Sequence, residues 1–137
     1  MTLSIKGGCA CKHVRYEIAA EPVRMVNCHC RDCQQMTGSA FAPLLVFLAE
    51  NARLSGEVRY YPVTSARGSK VERGFCPNCG CPVVTRTDAR PDRLLVFAAS
   101  LDDPSLHRPE VNLWMKSAAP WDHVDPQIPA FETYPPS

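Results

Sequence analysis

Eight cysteines gathered into three tight groups constrain this 137-residue chain more than any other feature. Cys9 and Cys11 form C-x-C, Cys28, Cys30 and Cys33 form C-x-C-x-x-C, and Cys76, Cys79 and Cys81 form C-x-x-C-x-C. Without an apolar leader of secretory length in MTLSIKGGCACK, usage this heavy points to metal or redox chemistry rather than a disulfide framework. A Cys9–Cys11 disulfide would also be geometrically poor at that spacing. The expectation is three ligand-bearing knuckles in a soluble, cytoplasmic protein.

The length suits a single domain over residues 1–137, with a modest hydrophobic core. Fifteen Lys and Arg against 14 Asp and Glu leave no basic footprint for nucleic acid or an anionic membrane. The longest apolar stretch, Phe41 to Ala49, is too short to span a bilayer. Neither nucleic acid nor a membrane is therefore expected as a partner.

Thirteen prolines and seven glycines are scattered so that long helices have little room, whereas short β-like runs recur between turn signals. A mainly β fold follows. Val14, Tyr16 and Ile18 alternate with Arg15 and Glu17, the pattern of a half-buried strand. Phe41 to Leu48 and Leu94 to Ala98 are continuous apolar runs, as in strands buried on both faces. Val58 to Val63, Lys70 to Phe75 and Val83 to Arg86 are further strand candidates. Arg31 to Met36 suits a short helix stopped at Gly38. Trp114 and Trp121 are expected to pack the core, and the last residues, with Pro135 and Pro136, to be frayed.

A tetrahedral zinc ion takes four thiolates at about 2.3 Å, a geometry that cysteine pairs on two separate hairpin tips can supply. Cys76-Pro77-Asn78-Cys79-Gly80 has the form of such a knuckle, with Gly80 free to adopt positive φ behind the second thiolate. Cys9 and Cys11 fit as its partners, with Gly7 and Gly8 allowing a tight turn around the ion. Four thiolates would make this a structural site that replaces core a loop-rich chain cannot build.

Cys28-His29-Cys30-Arg31-Asp32-Cys33 places three thiols within six residues. Three protein ligands without an evident fourth form the pattern of a catalytic zinc whose vacant position takes water or substrate. An ion there lowers the pKa of an incoming thiol, so a small thiol is the natural substrate. Other readings stay open at this point. Cys81 could supply a fourth ligand and close the site, and Cys30 and Cys33 could act as a redox dithiol, although no thioredoxin-like βαβ pattern surrounds them. His29 should face away if both neighbours bind the ion.

The segments GGCACKHVRYE, CHCRDCQQMTGSAFAP, FCPNCGCPV and SLDDPS, followed by SAAPW and PAFE, resemble in order the glutathione-dependent formaldehyde-activating enzyme family. That family shares its domain with centromere protein V, and the resemblance runs from about Gly7 to Glu132. It implies an Mss4-like fold of small coiled antiparallel sheets stabilised by zinc. It implies two zinc ions per chain, a structural one on Cys9, Cys11, Cys76 and Cys79 and a catalytic-type one on Cys28, Cys30 and Cys33. The implied activity is condensation of formaldehyde with glutathione to S-hydroxymethylglutathione, a carbon–sulfur lyase reaction written in reverse. The chain departs from the family pattern in two places. Cys81 stands where Ser or Thr is usual, and Asn112-Leu113-Trp114 replaces a common His-Ile before the tryptophan, which removes an imidazole.

Among the remaining polar residues, Thr37 and Ser39 are candidates to hydrogen-bond a developing alkoxide. Arg31 is a candidate to attract a substrate carboxylate or to offset the charge of the cluster. His13, His107 and His123 lie outside the cysteine groups and carry no assigned role. Two non-enzymatic alternatives also fit the cysteine pattern: a zinc-stabilised binding module, and a metal or thiol buffer.

Overall fold

The computed structural model describes residues 3–135, so the expectation of fraying at Pro136 falls outside the described residues. The alternation Val14-Tyr16-Ile18 becomes one buried face, with these three side chains 0–2% exposed. Tyr16 and Ile18 lie on strand β2 (Arg15–Ile18), which pairs antiparallel with β1 (Ile5–Gly8) and β5 (Ala52–Ser55) in a three-stranded sheet. The continuous apolar runs become β4 (Ala42–Leu48) and β9 (Arg93–Phe97), neighbours at the centre of a seven-stranded sheet. Apolar side chains on both faces are what a central strand with cover on each side requires.

Outward from β4 come β3 (Arg24–Cys28), antiparallel to it, and β10 (Val111–Leu113), the one strand paired parallel. Outward from β9 come β8 (Pro82–Thr87), β7 (Lys70–Phe75) and β6 (Arg59–Thr64), all antiparallel. Pro62 sits on β6, the edge strand, where a missing N–H costs no ladder bond. The mainly β architecture of small sheets is thus observed, antiparallel except at β3–β10. Of these strands β1, β3, β5 and β10 were not expected; none carries an alternation over five positions like that from Val14 to Ile18.

The two faces of the large sheet bury different things. On one side Leu45, Phe47, Val84 and Val96 pack with Ile5, Val14, Tyr16 and Ile18 of the small sheet, and Cys9 and Cys76 join this core. On the other, Val26, Ala42, Leu44, Phe97 and Val111 pack with Cys28 and Cys33. Each core therefore carries part of one cysteine group. Helix α1 (Arg31–Thr37) ends as expected at Gly38, which takes φ 65° and returns its N–H to the Gln34 carbonyl. Trp114 packs against the second core, but Trp121 does not pack in the core; it is 68% exposed. Among the described residues no helix is long and apolar enough to cross a membrane.

Candidate metal centres

Cys9 and Cys11 leave the end of β1 and meet Cys76 and Cys79 at the end of β7, with all four sulfurs within 4.8 Å of one another. The Cys9–Cys11 and Cys11–Cys76 sulfur separations are 3.6 and 3.7 Å. Four thiolates at 2.3 Å from a shared ion lie about 3.8 Å apart along the edges of a tetrahedron. The donor set and its spacing therefore fit zinc. Backbone N–H groups already point at the sulfurs: Val14 donates to Cys9 Sγ (3.2 Å), and Asn78 and Cys79 donate to Cys76 Sγ (3.3 and 3.5 Å). Asn78 Nδ2 donates to Cys11 Sγ at 3.2 Å. Such donors favour the thiolate form, and backbone N–H groups of Cys11 and Cys81 push the Cys79 thiol down to about 6.

Gly80 takes φ 75° behind the knuckle, as expected. Gly7 and Gly8 play a different part from the one expected. Both lie within β1, where a Cβ would collide with Tyr16 and Ser100 at Gly7 and with the Val14 carbonyl at Gly8. They permit close approach of chains, while the turn that presents Cys11 is closed by Lys12 at φ 68°.

The second group is assembled locally. Cys28 ends β3, Cys30 caps α1 by accepting the Cys33 N–H (3.3 Å), and Cys33 lies in the first turn of α1. Their sulfurs lie within 4.8 Å of one another, and no histidine, carboxylate or further cysteine joins them among the described residues. Hydrogen bonds from Cys28 and Cys33, with help from the Cys33 N–H and Arg73, hold the Cys30 thiol far down, and the same sharing pushes Cys28 up. A trio of soft donors clustered this way fits a zinc ion with one protein ligand fewer than a closed site.

All three cysteines of this trio line a cavity of about 440 Å³. One face of the large sheet supplies most of the wall, through residues such as Val26, Leu44 and Leu95, and Trp114 and Tyr134 line it as well. Trp114 and Tyr134 stack edge to face with ring centres 5.3 Å apart, and the Arg67 guanidinium lies 3.9 Å over Tyr134.

Cys81 stands apart from both sulfur groups. Its thiol donates to the Pro82 carbonyl (3.7 Å) and packs against the first core, and it belongs to neither sulfur group. His29 faces away from the sulfurs, as expected; it is 1% exposed, with Nε2 3.1 Å from Asn112 Oδ1. Asn112, the residue in place of an imidazole, points to His29 and does not line the cavity. Thr37 and Ser39 do not line it either, so neither is placed to meet an alkoxide; Thr37 Oγ1 donates to the Cys33 carbonyl at 2.8 Å. Arg31 does line the cavity, held by Gln34. Gln34 in turn donates to the carbonyls of His29 (2.7 Å) and Ser117 (2.8 Å), pinning the cysteine loop to the segment after Trp114. His13, His107 and His123 are absent from both groups and from the cavity.

Sequence reasoning missed Arg73. It is 9% exposed on β7, and its Nη2 donates to Cys33 Sγ at 3.4 Å. A charged residue flanked by Val71 and Phe75 on one side of a strand candidate was the available signal, since lone charges on a buried face need a partner.

Two sheets that share cores with two thiol groups, one enclosed by four cysteines and one open to a cavity, define a cysteine-rich β protein built around metal-competent centres. The glutathione-dependent formaldehyde-activating enzyme family model matches residues 4–117, and the chain belongs to that family. Among solved structures the chain resembles a Rhodobacter sphaeroides protein from a structural-genomics programme. The two are 22% identical, the match covers 71% of this chain and 87% of the other, and the TM-score is 0.55, a likeness of fold. Among curated proteins no sequence matches this one.

Proposed function

We propose that the chain is a zinc-dependent carbon–sulfur lyase-like enzyme acting on the adduct of a small thiol, glutathione or a similar compound, with an aldehyde such as formaldehyde. The observation that carries this reading is the trio Cys28, Cys30 and Cys33, which lines a cavity large enough for a thiol adduct. Family membership supports the substrate class.

Cys28, Cys30 and Cys33 would hold one zinc, and Cys9, Cys11, Cys76 and Cys79 a second, structural one. Zinc on the trio supplies a Lewis acid that keeps a substrate thiol ionised near neutral pH. The chain's own residues do the rest. Arg73 offsets the negative charge that three thiolates leave in a buried place. Val26, Leu44 and Leu95 give the site dry walls, which strengthen every charge interaction inside it. Arg31 and Arg67 line the same cavity and suit the carboxylates of a peptide-like thiol. An open cavity beside the trio favours the enzyme over a binding module or a metal buffer, neither of which needs one.

Exchange NMR on mixtures of formaldehyde and glutathione tests the reaction. Added zinc-loaded protein should speed exchange between free formaldehyde and S-hydroxymethylglutathione. No acceleration across several thiols and aldehydes would remove the proposed activity.

A further inference from the structure

Arg73 on β7 and Thr85 on β8 stand directly opposite each other in the antiparallel ladder. Opposed residues project from the same face with Cβ atoms about 5 Å apart. Both line the cavity beside the cysteine trio, and both are more than nine-tenths buried, at 9% and 5% exposure. Arg73 spends Nη2 on Cys33 Sγ. Its Nη1 has no hydrogen-bond partner among the described residues, and neither has Thr85 Oγ1.

Buried polar atoms are almost always paired, so two unpaired ones at opposed ladder positions call for an explanation. Their neighbours do not supply it. Leu95 opposes Thr85 on the other side, and Val71 precedes Arg73 on the same face. Asp32, the one carboxylate lining the cavity, forms no ion pair with Arg73. What remains are two unpaired donors on neighbouring strands, a guanidinium nitrogen and a hydroxyl, on residues that line the cavity beside the cysteine trio. A planar guanidinium can serve Cys33 with one nitrogen and a second acceptor with the other, which an ammonium cannot do in fixed geometry.

We propose that Arg73 Nη1 and Thr85 Oγ1 form an oxygen-binding subsite that receives the aldehyde-derived oxygen of the thiol adduct. The identity of that oxygen rests on the function proposed above. In the condensing direction the substrate thiolate forms the new C–S bond, the π pair of C=O moves onto oxygen, and the oxygen takes up one proton, balancing the one the thiol released. In the reverse direction the hydroxyl loses its proton, C=O re-forms and the C–S pair returns to sulfur. Negative charge on oxygen peaks between these states, where fixed donors in a water-poor site act most strongly.

The test uses the zinc-loaded protein with two probes. Formate, a small planar oxyanion, reports on the subsite without any reaction, and exchange between formaldehyde and S-hydroxymethylglutathione reports on turnover. In wild type, saturating shifts at the Thr85 amide and a nuclear Overhauser contact from the formate proton to the Thr85 methyl are expected. Thr85→Val removes the hydroxyl at nearly constant shape and should weaken formate binding about tenfold and slow exchange about 100-fold, with zinc content unchanged. Thr85→Ser should restore most of both. The subsite is overturned if wild type shows no contact between formate and Thr85, a result that depends on no variant's folding. It is equally overturned if Thr85→Val, still loaded with zinc, binds formate and turns over like wild type. If wild type accelerates no exchange while formate binding depends on Thr85, the proposed reaction falls and the oxygen subsite stands.

Discussion

Arg73 Nη2 lies 3.4 Å from Cys33 Sγ, joining strand β7 to helix α1 across 40 positions of sequence. Both partners are largely buried, so the contact is between a guanidinium and a thiol group that carries negative charge when metal-bound.

Removing that guanidinium should loosen the second centre and spare the first. Arg73→Gln keeps polar bulk but drops the charge, and outer contacts of this kind change metal affinity about 10–100-fold. Chelator competition should show one weakened zinc and one unchanged zinc per chain. Equal retention of both would show that the charge is not needed at the trio.

Cys81→Ser should bind as much zinc as wild type. Cys81 Sγ turns to the Pro82 carbonyl and takes part in neither sulfur group. Metal analysis of the two proteins side by side decides the point, because loss of one zinc would make Cys81 a ligand.

Stripping metal from the first centre should unfold the small sheet and its core. Cys9 and Cys76 are buried within that core, so thiolates left there without an ion would be charges with no partner. A strong chelator should lower the melting temperature sharply, and Cys76→Ser should fail to fold at ordinary temperatures. Loss of the second centre alone, through Cys30→Ser, should leave circular dichroism nearly intact.

Alkaline stability should depend on Tyr16. Burial pushes its phenol up to about 12 from 10.0, and its hydroxyl is hydrogen-bonded to Ser100 Oγ (2.7 Å). Ser100 Oγ donates to the Phe97 carbonyl, so Tyr16 is the donor of that bond. A raised phenol pKa means that the folded state holds its proton more tightly. The stabilisation is complete below about pH 10 and is lost as pH rises through about 12, a change on the order of 2–3 kcal/mol. Urea unfolding across that range should show the loss in wild type and little of it in Tyr16→Phe, which instead loses about 1 kcal/mol at neutral pH. Identical alkaline limbs in both proteins would place the sensitivity elsewhere.

The parts of the fold legible beforehand were those whose pattern is local. Continuous apolar runs marked β4 and β9 as central, because burial on both faces leaves no polar alternation. The helix α1 announced itself through Gly38. The strands β1, β3, β5 and β10 went unread because none carries an alternation over five positions like that from Val14 to Ile18, and their partners, not their own residues, hold them extended. Trp121 shows the converse: a large aromatic side chain in a proline-rich stretch has no strand to aim it inward and lies in solvent.

Cysteine spacing by itself marked three ligand-bearing knuckles, because thiols two or three residues apart reach one ion whatever surrounds them. Tertiary structure decided the rest. It turned Cys81 into the first core, hid His29 against Asn112, and brought Arg73 and Thr85 to the wall beside Cys33. Those outcomes depend on which strands become neighbours and in what register. That choice is made by packing two faces of one sheet at once, and no single segment of the chain contains it.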